Sequence, residues 1–166
     1  MIVRHLTEQD GEIVWQLRLQ ALQNNPEAFG GTYEETIARG FDRYVQWLQQ
    51  GKDTFWLGAF EDKLIGMVGV IRETGLKSQH KGYIIGMYVL PDARGKGAGK
   101  ALLQEAIAHA HTKAGLDQLH LAVVTTNDAA RNLYRSLGFE VYGVEPRALK
   151  ANGQYWDEEL MILRLK

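Results

Sequence analysis

Between Arg94 and Lys100 the chain reads R-G-K-G-A-G-K. Gly95, Gly97 and Gly99 carry no Cβ atoms, so an anion can come close to the backbone N–H groups. An apolar run, Gly82 to Leu90, precedes them and closes at Pro91; a helical pattern, Lys100 to Lys113, follows at once. The first turn of a helix has N–H groups without intrahelical partners, and its dipole favours negative charge. Strand, glycine loop and helix start together form a cradle for a phosphate, with Arg94 and Lys96 adding positive charge. The plainer reading is a flexible turn into a helix. The spacing fits neither of two common nucleotide loops. A Walker loop needs G-x-x-x-x-G-K-[ST], but Arg94 stands at its first glycine and Ala101 at its hydroxyl. A dinucleotide fingerprint needs G-x-G-x-x-G, and position 100 is Lys.

A second stretch, Asn127 to Phe139, reads N-D-A-A-R-N-L-Y-R-S-L-G-F. Ala130, Leu133, Tyr134 and Leu137 share one helical face, and Gly138 is a C-terminal stop. On that face taken alone Tyr134 reads as a buried core residue. With an ordinary pKa of about 10, a tyrosine stays protonated at neutral pH and can donate a proton. Proton acceptors are harder to choose: Glu34, Glu35, Glu73 and His80 are candidates, as is a water chain, and each of these acids also suits a solvated surface. The histidines make no metal pattern. His109 and His111 are two apart on a helix and point to different sides, while His5, His80 and His120 are isolated, so no metal site is expected.

The elements that must position these residues can be read in order. Ile2 to Leu6 alternates as a strand, and Thr7 with Asp10 can cap the helix that follows. Ile13, Val14, Leu17, Ala21 and Leu22 form its apolar stripe. Arg18 lies beside that stripe and can either snorkel or face a cleft. Asn24, Asn25 and Pro26 stop the helix. Pro26 to Thr36 reads as a mobile connection hinged at Gly30–Gly31 that carries Phe29, Tyr33, Glu34 and Glu35; it is either a solvated loop entering the next helix or a flap over an acceptor site. Phe41, Tyr44, Val45 and Leu48 mark a second helix, which ends at Gly51. Thr54 to Phe60 and Leu64 to Arg72 form a hairpin, Glu73 to Lys81 a loop, and Gly82 to Leu90 a third strand whose apolar run predicts burial on both faces. Gly86 inside that strand predicts a bulge or a close backbone approach. Leu102, Leu103, Ala106, Ile107 and Ala110 line the helix after the glycine loop, and Gly115 ends it. Leu119 to Val124 is a strand reached by a right-handed crossover, hence parallel to the third. A helix over Ala129 to Leu137, a strand over Phe139 to Gly143, an Asn152–Gly153 turn and a strand over Tyr155 to Leu165 complete the chain.

The 166 residues fit one domain, 1–166. A net charge of −1 gives no general attraction to nucleic acid or an anionic membrane, and neither is expected as a partner. No apolar run approaches the length of a membrane span, and the N-terminus lacks signal character, so a cytoplasmic location is expected. The chain has no cysteine, which excludes disulfides, thiolate zinc sites and an acyl-cysteine intermediate. If acyl transfer occurs, direct transfer to the acceptor is therefore favoured.

The pattern R-x-x-G-x-G after a strand ending Y-V-x-P, followed one strand later by N-x-x-A-x-x-L-Y-x-x-x-G-F, resembles the GNAT superfamily of acetyl-CoA-dependent N-acetyltransferases. The likeness is good from about Thr54 onward and looser before it. It implies an α/β (α+β) fold: a mixed, mostly antiparallel sheet of about seven strands, helices on both faces, splayed at an acetyl-CoA site. It implies no metal. By motif, the backbone of Met87, Tyr88 and Val89 pairs with the pantetheine arm, while Arg94, Gly95, Lys96, Gly97, Ala98, Gly99 and Lys100 hold the pyrophosphate. Asn127 bonds the pantetheine, and Tyr134 lies near the thioester sulfur as the proton donor. Some members carry a glutamate base near the start of the strand before the loop, where this chain has Tyr83. That departure leaves the base unassigned and keeps open a catalytically inactive acyl-CoA sensor. The implied acceptor is a primary amine of a small molecule or peptide, with Phe29, Tyr33, Glu34, Glu35 and Tyr83 beside it. The flap acids would suit a cationic amine. Its identity, and whether the protein is a homodimer, are open.

Overall fold

Apolar strands separated by turn residues build one sheet of seven strands, in the order β1-β2-β3-β4-β5-β7-β6. The computed structural model describes residues 1–49, 51 and 53–166. The strands are β1 (Ile2–His5), β2 (Phe55–Phe60), β3 (Leu64–Arg72), β4 (Lys81–Val89), β5 (Gln118–Val124), β6 (Glu140–Ala151) and β7 (Gln154–Arg164). The helices are α1 (Gly11–Asn24), α2 (Tyr33–Arg39), α3 (Phe41–Leu48), α4 (Ala98–His111) and α5 (Asp128–Ser136). All neighbouring strands are antiparallel except β4 and β5. The mixed, mostly antiparallel fold expected from the sequence is the fold observed.

Two cores lie on opposite faces of the sheet. Leu102, Leu103, Ala106 and Ala110 of α4 pack on Val68, Val70, Leu119 and Met161, with Tyr134 of α5 in the same cluster. Val14, Trp15, Leu17 and Ala21 of α1 pack with Tyr44, Leu48, Trp56, Met67 and Tyr88 on the other face. Burial of such side chains, at about 1.5–3 kcal/mol each, is what fixes the helices to the sheet.

Several boundaries differ from the sequence reading, for physical reasons. Ile13 is 44 % exposed and leaves the α1 stripe, and Trp15 takes a place in the core. The stretch 26–36 is not a connection throughout. The side-chain oxygen of Thr32 accepts from Glu35 N–H, and the Glu35 carboxylate accepts from Thr32 N–H, both at 3.1 Å. This T-x-x-E capping box starts α2 at Tyr33. Strand β6 continues past Gly143 to Ala151, carrying Pro146 inside a register shift between Glu145 and Leu149. A bulge is where a strand tolerates proline. The Asp157 carboxylate accepts from Arg147 N–H at 2.7 Å and satisfies the bulged backbone. Strand β4 is not buried on both faces: Tyr83, Ile85, Gly86 and Met87 are only half-buried, because β4 loses its β5 neighbour part-way along.

Candidate functional site

β4 and β5 pair at only three positions: Lys81 with Gln118, Gly82 with Leu119, and Tyr83 with His120. Beyond them the strands separate, and no strand fills the gap. Gly86 explains part of this. Opposite Met67–Gly69, β4 carries an extra residue, and Gly86 sits at φ +59. A Cβ there would come within 2.7 Å of Trp56. The bulge expected from the glycine is present, and it turns β4 away from β5.

The gap is a cavity of about 570 Å³. Met87, Tyr88 and Val89 form its β4 wall, Ala122, Val123 and Val124 its β5 wall, and Asn127, Ala130, Leu133 and Tyr134 its α5 wall. Arg94, Gly95, Gly97, Ala98, Gly99 and Lys100 line its mouth, and Asn25 and Phe29 cover it from the α1 side. Lys96 sits between lining residues without being one. Tyr33, Glu34, Glu35 and Tyr83 do not line it either. Asn25 and the β5 wall were not singled out from sequence. Asn25 reads only as a helix stop, and a β5 wall has no signal without the strand register.

The mouth has the geometry of an anion cradle. Gly95 and Gly97 adopt φ +74 and +87, the region that glycine alone enters cheaply. No atom lies within 4 Å of a Cβ built at either, so the space above both is open. Gly97 is also the N-cap of α4, which aims the helix's unpaired N–H groups into that space. Gly99 plays a different part: a Cβ there would meet Leu133 and Met87 at 3.2 Å, so it lets α4 approach α5 and β4. Arg94 reaches back across the mouth. Its Nε donates to the Val89 carbonyl at 3.0 Å and its Nη2 to Asn25 Oδ1 at 2.9 Å. Leu90 N–H bonds Ile65 on β3, so the Val89 carbonyl of the same trans peptide points to the cleft.

Asn127 is the N-cap of α5: its Oδ1 accepts from Ala130 N–H at 3.2 Å, which leaves its Nδ2 to donate elsewhere. Tyr134 is 7 % exposed and packs edge-on against Phe139 at 5.9 Å. Burial pushes its phenol up to about 12, so the hydroxyl is a proton donor at any ordinary pH. A clamp fixes α5: Glu159 on β7 accepts from both Arg131 and Arg135, and Arg131 also reaches the Thr125 carbonyl at 3.0 Å. At the closed end of the gap, Tyr83 stacks on His120 at 5.4 Å, and Tyr142 meets that imidazole edge-on at 5.6 Å. His120 is buried, and burial with Lys81 and His80 holds its pKa below the usual histidine value. It does not line the cavity. In the sequence it stands isolated, because its neighbours Tyr83 and Tyr142 come from other strands.

A family model described as "Acetyltransferase (GNAT) family" matches residues 18–139. An L-methionine sulfoximine/L-methionine sulfone acetyltransferase of Pseudomonas aeruginosa is 39 % identical over 79 residues, covering 48 % of this chain and 45 % of that protein. An uncharacterized protein of Mycobacterium leprae is 29 % identical over 153 residues, covering 92 % of this chain. The chain spans only 38 % of that protein's length. A solved structure of a putative acetyltransferase from Salmonella typhimurium, with its cofactor acetyl-CoA, superposes with a TM-score of 0.88 at 21 % identity. That superposition covers 99 % of this chain and 94 % of the other.

Proposed function

Because the chain belongs to the acetyltransferase (GNAT) family, we propose that it is an N-acetyltransferase, moving an acetyl group directly from acetyl-CoA to a primary amine of a small molecule or peptide. The observation that carries this reading is the gap between β4 and β5, with an anion cradle at its mouth and the Tyr134 phenol on its wall.

The residues present fit acetyl-CoA. The open space over Gly95 and Gly97 admits a pyrophosphate, with Arg94 and Lys100 as its cations and Lys96 nearby. The backbone of Met87, Tyr88 and Val89, free of a β5 partner, offers hydrogen bonds to the amide-bearing pantetheine arm, and Asn127 Nδ2 offers one more. When bound, acetyl-CoA supplies the thioester carbonyl that a neutral amine attacks. As the C–S bond breaks, Tyr134 would give its proton to the sulfur, and the proton shed by the newly acylated nitrogen would return to the phenolate through solvent. Burial keeps that proton in place until negative charge develops beside it. The Glu159 clamp holds the helix that carries this hydroxyl.

The test is release of free CoA from acetyl-CoA across a panel of amines. Turnover of any primary amine above hydrolysis supports the reading. Thermal stabilisation by acetyl-CoA with no CoA release on any amine would replace it with a sensor that binds acyl-CoA without transfer.

A further inference from the structure

Among the described residues, ion pairs engage Arg4, Arg72, Arg131, Arg135 and Lys166. Arg18 takes part in none, although it is half-buried. Its guanidinium lies over the Phe29 ring at 4.8 Å. A Cβ at Gly31 would come within 3.6 Å of its Nη2, so the head is turned in beneath the Gly30–Gly31 segment and does not snorkel outward. Burial lowers the Arg18 pKa, and Tyr44 opposes that shift. A cation taken out of water without an anion is a cost to the fold. A protein that keeps one has a use for it.

The surroundings share the same lack. Tyr44 Oη, Tyr88 Oη and Trp56 Nε1 are buried with no hydrogen-bond partner among the described residues. All three belong to one core cluster, against which Phe29 packs. Guanidinium and indole N–H groups only donate, and a phenol donates readily. The cluster therefore holds three unpartnered donors beside one positive charge, and among the described residues it has no anion to receive them. A carboxylate supplies what is absent: one negative charge, and lone pairs that take a guanidinium bidentately. Tyr88 and Phe29 line the cavity, with rings 6.2 Å apart, and Arg18 stands directly behind that lining, against the Phe29 ring, while Trp56 lies beneath Gly86 of the β4 bulge. Meanwhile Glu35 is held in the Thr32 cap, which reduces what the flap offers a cation.

We infer that Arg18 anchors a carboxylate on the amine acceptor, so that the acceptor is an amino acid or an amino-acid-like compound and not a polyamine. The inference rests on the transferase reading above.

The experiment follows CoA release with the twenty L-amino acids, each beside its α-carboxamide, and with spermidine and putrescine. Wild type should acetylate at least one amino acid with KM about tenfold to a hundredfold below that of its carboxamide, the range that one charge-assisted contact supplies. In Arg18→Met that preference should collapse toward one, and Arg18→Lys should keep part of it. Arg18→Met should melt at the wild-type temperature or above, since it removes an unpaired buried charge; a structural arginine would show the opposite. Acetyl-CoA affinity should stay within twofold. A tenfold loss there would overturn the inference by assigning the anion to a phosphate of the cofactor. Acetylation of polyamines with no amino acid accepted, or an amino-acid preference intact in Arg18→Met, would also overturn it while leaving the transferase reading standing. With no amine turned over at all, calorimetry of the same amino acids on the CoA-loaded protein decides. Carboxylate-dependent binding lost in Arg18→Met supports the anchor even though transfer has failed, and no binding overturns both.

Discussion

The Arg94 guanidinium donates to the side-chain oxygen of Asn25 at 2.9 Å, tying the mouth of the cleft to the end of α1 across 69 residues of sequence. Arg94 thus holds the mouth together, and under the proposed function it also faces the incoming pyrophosphate. Arg94→Ala should weaken acetyl-CoA by about tenfold or more, the value of a charge-assisted hydrogen bond. Asn25→Ala removes the tether but leaves the cation, so it should weaken binding less. Calorimetry on both variants checks the order.

Gly97 and Gly99, two residues apart in the motif, should fail differently. Gly97 sits at φ +87 beneath open space, so Gly97→Val both strains the backbone and fills the cradle. It should weaken acetyl-CoA more than Arg94→Ala does. Gly99 touches Leu133 and Met87, so Gly99→Leu should instead lower the melting temperature by overpacking α4 on α5. Binding and thermal unfolding measured on the pair separate the two roles.

Asp10 accepts from Arg4 at 2.8 Å and from Thr7 N–H at 2.9 Å, and the Arg4 contact first holds its pKa down to about 2. A carboxylate depressed in the folded state contributes stability that is full above its unfolded pKa and is lost as pH falls through the folded one. Asp10 should thus contribute about 1–2 kcal/mol near neutrality, after discounting for solvent screening, and lose it between about pH 4 and pH 2. Asp10→Asn should remove that acid dependence. Urea unfolding at a series of pH values reads the difference.

Glu159 is 6 % exposed and receives both Arg131 and Arg135. Glu159→Gln should loosen α5 and lower kcat, while leaving acetyl-CoA affinity within a fewfold, because the cradle belongs to α4. Loss of affinity as large as the loss of kcat would mean that the clamp supports the whole cleft and not the Tyr134 helix.

The β2–β3 hairpin, the parallel β4–β5 pair and the irregularity at Gly86 were legible because each follows from local residue types, whereas the place of β7 between β5 and β6 was not. Glycine positions mark backbone that must turn, and apolar periodicity marks faces. What was not legible depends on register and on partners distant in sequence. Tyr83 and His120 stack because parallel pairing sets them side by side, which no local pattern states. The T-x-x-E box at Thr32 is present in the sequence, but it directly follows Gly30–Gly31, a pair that signals a loop. Arg18 could be read as snorkelling or inward, and only the position of Phe29 and Gly31 decides between them. Strand β6 runs past Gly143 to Ala151 because Pro146 sits at a bulge of an edge strand, places where a strand tolerates proline and which depend on its partner β7.

The buried phenol gives a pH signature. With its pKa near 12, Tyr134 should hold its proton throughout the range in which the protein is folded and assayed. The alkaline side of the kcat profile should therefore stay flat to about pH 10, as expected for a donor whose pKa lies above the range. A fall between pH 8 and 9 would point to a different donor.

Tyr134→Phe tests the account most directly. The change keeps the ring, its edge contact with Phe139 and its place in the core, and removes only the hydroxyl. A donor that meets charge only as the thiolate leaves stabilises the transition state more than the bound substrate, so the loss should fall on kcat. With any accepted amine, steady-state kinetics should give a kcat lower by about 10²–10⁴, the range of general acid catalysis. Acetyl-CoA affinity measured separately should change by less than about tenfold, since no more than one neutral hydrogen bond is lost. A variant with near-normal kcat would contradict the account: Tyr134 would be a core residue, and the leaving thiolate would take its proton from water or from the departing ammonium.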